Sequence, residues 1–232
     1  MQLDNSSFTL PNKRNAVLER LIECHGETCV YPARKIFLTP GQTLQGVYYI
    51  ITGRTRHYMI GTDGTEKILY TLSDGWFYGE TPLSLRESTG LFSQAEVETR
   101  VRIIPYQDYE ILLDTNKVFR EAILESYSKK MLIMRHEIES LAFNSCKDRL
   151  KRLFCSTADT SCLLENKWYN LKVHYTQQEL SAIIGSSRIT ISKTIKELCN
   201  EDFIRILNRN TQINAAAYNK VCLLYTSPSP RD

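Results

Sequence analysis

The apolar positions change their rhythm near the middle of the chain. Across residues 28–105, runs rich in Val, Ile, Tyr and Thr are cut every 8 to 12 residues by the turn signals Pro40-Gly41, Thr52-Gly53, Asp63-Gly64 and Ser73-Asp74-Gly75. Short runs of β-branched and aromatic residues between regular turn signals predict an all-β region. Its clearest stretch is 46–72, where VYYIITG, TRHYMIG and KILYTL are separated by glycine turns and Asp63-Gly64 marks a hairpin. A small antiparallel barrel or sandwich is the expected form. Beyond Pro105 the period becomes helical. From 116 to 143 the apolar residues Val118, Phe119, Ile123, Tyr127, Met131, Met134, Ile138 and Leu141 recur at three- and four-residue steps without Gly or Pro. A narrow stripe on so long a helix fits pairing with a second copy, as in a coiled-coil seam. Packing against its own barrel is the alternative.

A third pattern lies at 176–198, TQQELSAIIGSSRITISKTIKEL. Thr176 followed by Glu179 reads as a capping box, with Leu180, Ile183 and Ile184 facing inward. Gly185 breaks this helix, and Ser186 or Ser187 starts a second one with Ile191, Ile195 and Leu198 on its buried side. Arg188, Thr190, Lys193 and Lys196 then fall on the outer side. Two helices joined by a glycine turn, the second polar and basic near its start, make a helix-turn-helix able to enter a major groove. Ordinary helical hairpins also have glycine turns, so spacing alone leaves both readings open.

Charge sharpens the picture. Residues 1–144 carry 16 Lys+Arg against 18 Asp+Glu, whereas 145–221 carry 12 against 7. A basic back half points to a polyanionic partner. Hydrophobic residues at 42% and charged residues at 24% of 232 are a globular mixture, which disfavours wholesale disorder. No apolar run reaches a membrane span and residues 1–11 lack a secretion signal, so the expected location is the cytoplasm and no membrane partner is expected. Seven cysteines without tight repeated spacing fit reduced thiols. No GxSxG, HExxH, P-loop or paired-carboxylate spacing occurs, so an enzyme is not expected. The last residues, 222–232 (CLLYTSPSPRD), look like the in-frame translation of a sequencing adapter and are set apart from the fold.

The 176–198 stretch resembles the recognition element of the Crp/Fnr superfamily of transcription regulators, through Thr176, Glu179, Gly185, Ser187, Arg188, Thr190, Ser192 and Lys193. The resemblance extends forward. VYYIITG and DGTEKILYTLSDGWFYGE look like the family's β-roll with its Gly79-Glu80 pair, and LAFNSCKDRL resembles the hinge after its dimer helix. It implies an α+β chain: an N-terminal double-stranded β-helix (a cyclic-nucleotide-binding-like β-roll) over 1–115, a dimerisation helix over 116–144, and a C-terminal winged helix-turn-helix over 145–221. The implied partners are palindromic double-stranded DNA and a second copy of the chain. RNA polymerase is a further candidate, although no short motif for contacting it can be read.

Within that frame Arg188 and Lys193 are the expected base readers. A guanidinium can bond O6 and N7 of guanine together, whereas a lysine offers only a point charge, so the Lys193 contact is either to a base or to phosphate. Ile189 stands where many relatives have Glu, so it can touch a thymine methyl but cannot accept from cytosine. Thr176, Gln177, Ser187, Thr190, Ser192 and Lys196 complete the expected DNA-binding set, with Gln177, Thr190 and Ser192 as phosphate positioners. FIRILNRNTQI at 203–213 reads as a wing hairpin, with Arg209 either at a phosphate or in a solvated turn.

The expected effector set is Gly79, Glu80, Thr81, Ser93, Gln94, Met134 and Arg135. In cyclic-nucleotide-binding relatives an Arg-Ser pair after the Gly-Glu holds the phosphate, and here Ser93 and Gln94 fall at those positions. Cyclic AMP is therefore not the expected ligand, and the effector is an unknown small molecule. Arg135, if buried, would favour an anionic one. Gly79 and Glu80 serve either the turn or a ligand hydroxyl. Cys24 and Cys29 fall short of the family's compact cysteine run for an iron-sulfur cluster, so no metal site is expected. Two alternatives remain: a thiol switch linking Cys24 or Cys29 with Cys146 or Cys155, and a sensor that binds a protein instead of DNA.

Overall fold

The structure, a computed structural model, describes residues 14–226. The expected adapter-derived tail lies outside the described residues from 227 onward. Two compact units are formed, one from residues up to Ile60 together with Ile68–Glu137, the other from Gly61–Lys67 and Ile138 onward.

The first unit opens with α1 (Ala16–Glu23), capped by Asn15, whose side chain accepts from the amides of Val17 and Leu18. Eight strands follow: β1 (Glu27–Tyr31), β2 (Ile36–Leu38), β3 (Gly46–Thr52), β4 (Arg54–Ile60), β5 (Glu66–Ser73), β6 (Phe77–Tyr78), β7 (Phe92–Ala95) and β8 (Thr99–Pro105). They make two four-stranded sheets, ordered β1-β8-β3-β6 and β2-β7-β4-β5. The expected sandwich is thus present, although its strands are not shared out in sequence order. β3 belongs to one sheet and β4 to the other, and the chain crosses between them at Gly53. There φ is +111°, and an added Cβ would lie 2.6 Å from Thr99 Oγ1 and 2.7 Å from the Glu98 carbonyl oxygen. Only glycine fits such a corner. A short α2 (Glu80–Leu85) lies between β6 and β7, and Trp76, Phe77 and Tyr78 fill the interior with Tyr109 from α3 (Tyr106–Thr115) and Phe119 from α4 (Lys117–Phe143).

α4 confirms the long helix and divides its apolar stripe in two. Phe119, Ile123, Ser126, Lys130, Ile133 and Glu137 form the buried face at alternating four- and three-residue steps. Leu124, Met131 and Ile138 stand on a different face, seven residues apart and 58%, 74% and 63% exposed. Packing on the roll and an unused apolar seam coexist on one helix; the single stripe expected from periodicity had merged them.

The second unit comprises α5 (Cys146–Ser156), β9 (Ala158–Leu164), β10 (Trp168–Leu171), α6 (Gln177–Ile184), α7 (Arg188–Asn200), β11 (Ile204–Leu207), β12 (Asn210–Asn214) and α8 (Ala215–Thr226). Its sheet runs β11-β12-β10-β9. Leu150, Phe154, Leu180, Ile184, Ile191, Leu198, Phe203 and Ile213 make the core. Helical periodicity places Leu180, Ile184, Ile191 and Leu198 there but does not distinguish the β9–β10 hairpin.

Candidate nucleic-acid interface and sensor cavity

The helix pair α6–α7 is set by local chemistry. Thr176 closes a full capping box with Glu179: the Glu179 amide donates to Thr176 Oγ1 at 3.2 Å and the Thr176 amide to Glu179 Oε2 at 2.7 Å. Gly185 ends α6 in the left-handed region at φ +70°, which costs glycine no steric penalty. Ser187, not Ser186, is the N-cap of α7 and accepts from the Thr190 amide at 3.2 Å. Ser186 instead holds the turn, its carbonyl accepting from Ser181 Oγ at 2.6 Å and its hydroxyl from Arg149 Nη2 at 3.2 Å.

With the turn fixed, Ile191, Thr194 and Leu198 point into the core, and Arg188, Ile189, Thr190, Lys193 and Lys196 lie exposed. Ser192 is half-buried, while Thr176 and Gln177 are exposed at the start of α6. Arg188 Nη1 donates to Gln178 Oε1 at 2.9 Å, which rests the guanidinium across the two helix starts. Ile189 is 70% exposed, a large apolar side chain with no core to serve. Lys193 and Lys196 form no ion pair among the described residues, whereas Lys147, Lys151, Lys167 and Arg205 are matched by Glu197, Glu201, Asp202 and Glu165. The β11–β12 hairpin turns at Asn208 and Arg209, both at positive φ (+49° and +66°), as a two-residue turn requires. Arg209 is exposed at its tip.

The first unit holds a cavity of about 220 Å³. Gly79, Glu80, Thr81 and Ser93 from the expected effector set line it, together with His57, Tyr70 and Tyr78. Gln94, Met134 and Arg135 do not. Gln94 accepts from Arg56 Nε at 2.7 Å and donates to the Arg34 carbonyl oxygen; Arg135 is exposed. Gly79 sits at φ +86°, and a Cβ there would meet Leu44 at 2.5 Å, so backbone shape requires this glycine.

Glu80 is 1% exposed and meets a cation that sequence reading missed. Lys130 Nζ, from the buried face of α4, donates to Glu80 Oε1 at 2.5 Å and to the Phe77 carbonyl oxygen at 2.7 Å. Ser126 Oγ donates to the same carboxylate oxygen at 2.9 Å. Burial lowers the Lys130 pKa, and Glu80 acts against that shift. The four-residue spacing of Ser126 and Lys130, in step with Phe119, Ile123 and Ile133, was the available signal. His57 is bonded at Nδ1 to Ser93 Oγ (2.9 Å) and at Nε2 to Thr55 Oγ1 (3.0 Å). Burial, reinforced by Lys130, pushes its pKa down to about 3, so the ring is neutral at ordinary pH. The buried Tyr78 hydroxyl has no hydrogen-bond partner among the described residues. Among the described residues no cluster of three or more His, Cys, Asp or Glu could hold a metal, and Cys24, Cys29, Cys146, Cys155, Cys162 and Cys199 form no disulfide.

Comparison with known proteins gives both units a family. Residues 28–116 match the cyclic nucleotide-binding domain and 148–217 the Crp-like helix-turn-helix domain. The chain is 23% identical over 185 residues to the cAMP-activated global transcriptional regulator CRP of Salmonella typhimurium, covering 79% of this chain and 87% of that one. Transcriptional regulator SdrP of Thermus thermophilus is 28% identical over 182 residues, covering 77% and 85%. Among solved structures, the c-di-GMP responsive global regulator CLP of Xanthomonas campestris superposes with a TM-score of 0.73 at 21% identity, covering 84% of this chain and 97% of that one. No described helix is long and apolar enough to cross a membrane. With a sensing domain and a DNA-binding domain in the same order as in these regulators, the chain belongs to the Crp/Fnr family, as a DNA-binding transcription regulator with a cyclic-nucleotide-binding-like sensing domain.

Proposed function

We propose that this chain is a homodimeric, sequence-specific regulator that acts by binding, with no catalytic step, and that answers to a small effector other than cyclic AMP. The observation that carries the reading is the exposed face of α7, where Arg188, Ile189, Lys193 and Lys196 are held outward by a core that uses none of them. Arg188 reads guanine, Ile189 meets a thymine methyl, and Lys193, Lys196 and Arg209 neutralise phosphates. The seam of Leu124, Met131 and Ile138 supports pairing through α4, which brings two recognition helices to half-sites one DNA turn, ~34 Å, apart. In this division of labour 1–115 senses, 116–144 pairs and 145–221 reads.

The relatives' activation by cyclic AMP does not carry over. Ser93 bonds to a buried histidine and Gln94 faces away from the cavity, so neither position supplies the charge-assisted donors that a cyclic phosphate needs. Selecting bound duplexes from a random pool with the full chain tests the reading. The expected result is an enriched palindrome that Arg188→Ala no longer selects, with the dimer intact. Met131→Glu should halve the sedimenting mass. A wild-type chain that enriches no duplex, or an Arg188→Ala chain that selects the same palindrome, would overturn the assignment.

A further inference from the structure

The lining of the sensor cavity offers no unpaired positive charge among the described residues. Glu80 and Glu87 line it, no lysine or arginine among the described residues does, and His57 is neutral. The buried cation behind the lining is Lys130, already committed to Glu80 and to the Phe77 carbonyl oxygen, with its Nζ 5.7 Å from the centre of the Tyr70 ring. A phosphate or carboxylate entering this space would need charge-assisted donors. To obtain them it would have to draw Lys130 away and leave the Glu80 carboxylate buried, unpaired and beside a second negative charge. Breaking a buried pair in this way is strongly unfavourable.

The remaining surface has a definite chemistry. Tyr70, Tyr78 and His57 form an aromatic wall, with His57 centroids 5.0 and 5.2 Å from the two tyrosine rings. Leu38, Leu44 and Leu91 add apolar contact. Lys130 and Ser126 both use Glu80 Oε1, so the other carboxylate oxygen is left to accept a hydrogen bond. A volume of about 220 Å³ is below the ~300–1,000 Å³ of clefts that hold drug-sized ligands.

We infer that the cavity takes a small, uncharged, ring-bearing molecule with a hydroxyl donor, the ring against the tyrosine wall and the hydroxyl on Glu80. The inference rests on the sensor reading above and narrows it to a ligand class. It also supplies a route of control. The carboxylate that receives the ligand is the one bonded to Ser126 and Lys130, so its load is felt by the helix that carries the exposed seam.

Matched probes test the charge preference on the full chain: phenol against phenyl phosphate, and benzyl alcohol against benzoate, with cyclic AMP as a further anion, all by titration calorimetry. The neutral member of each pair should bind at least tenfold more tightly than its anionic partner. Leu85→Arg places a cation on the lining at a residue 62% exposed, where folding tolerates it, and should raise phenyl phosphate affinity about tenfold. Anions that bind as tightly as their neutral partners, or neutral probes that do not bind at all, would overturn the ligand class. Duplex selection run on the same preparation separates the two readings: retained DNA binding with anion preference removes only the ligand class, whereas lost DNA binding removes the regulator.

Discussion

Lys130 and Lys193 are the same side chain put to opposite uses. Lys130 is buried on α4 and spends its donors inside the fold, on Glu80 and a backbone carbonyl. Lys193 stands exposed on α7 with no ion pair among the described residues. A buried ammonium has to be matched, and its match then dictates what else the interior can accept. An exposed ammonium stays hydrated and can displace the cations condensed on a polyanion. The sensor cavity is thus defined by a cation already paired, and the outer face of α7 by cations still open.

The largest effect is expected where a pairing is broken. Glu80→Ala leaves Lys130 buried without its anion and should cost about 3–5 kcal/mol in urea unfolding, whereas Glu80→Leu combined with Lys130→Met should recover most of it. A Glu80→Ala chain with the wild-type midpoint would show that the pair does not hold the cavity together.

Next comes the neutral histidine. The His57 pKa is about 3 in the folded chain against about 6.5 unfolded, so the unfolded chain takes up the proton first as pH falls. Its contribution is complete above pH 6.5 and is lost on acidification, by about 3 kcal/mol between pH 7 and pH 4. His57→Gln should flatten that part of the stability profile; an unchanged slope would contradict a buried neutral ring.

Effects on the reading unit should be smaller and confined to DNA. Arg188→Ala is expected to remove about 1–3 kcal/mol of base discrimination with thermal stability unchanged. Lys193→Ala should weaken all duplexes alike and lower the salt slope by about one, and a loss at one base position only would make it a reader. The smallest change is a gain. Tyr78→Phe removes a buried hydroxyl without a partner and should stabilise the ligand-free chain by about 1 kcal/mol.

Legibility in the sequence followed the same division. The outward placement of Arg188, Ile189 and Lys193 could be read because capping residues and a left-handed glycine fix their positions within a short stretch of chain. The strands were legible too, from the glycine turns, though their division between two sheets was not. Gly53 reads as a turn in sequence, and only its packing against Glu98 and Thr99 makes it a corner. The interior polar set was the least visible. Gln94, Met134 and Arg135 were placed by alignment to the family and by the helical period, and they lie away from the cavity. Lys130 and Ser126 took the inward positions because two apolar stripes share α4 and the sequence shows only their sum.

Strand β8 pairs with β1 on one side and β3 on the other, yet it is the last strand of its unit in the chain. Tyr31 finds its partner Thr99 only after 67 intervening residues have been made. Closing such distant ends is slow compared with forming local helices, because loop entropy is lost before any contact is gained. On the ribosome β1 and β3 must therefore wait, with their apolar faces uncovered, until residue 105 emerges. Folding of the sensing unit is timed by the arrival of β8, and the reading unit, whose helix pair and hairpins join near neighbours, follows on a shorter clock.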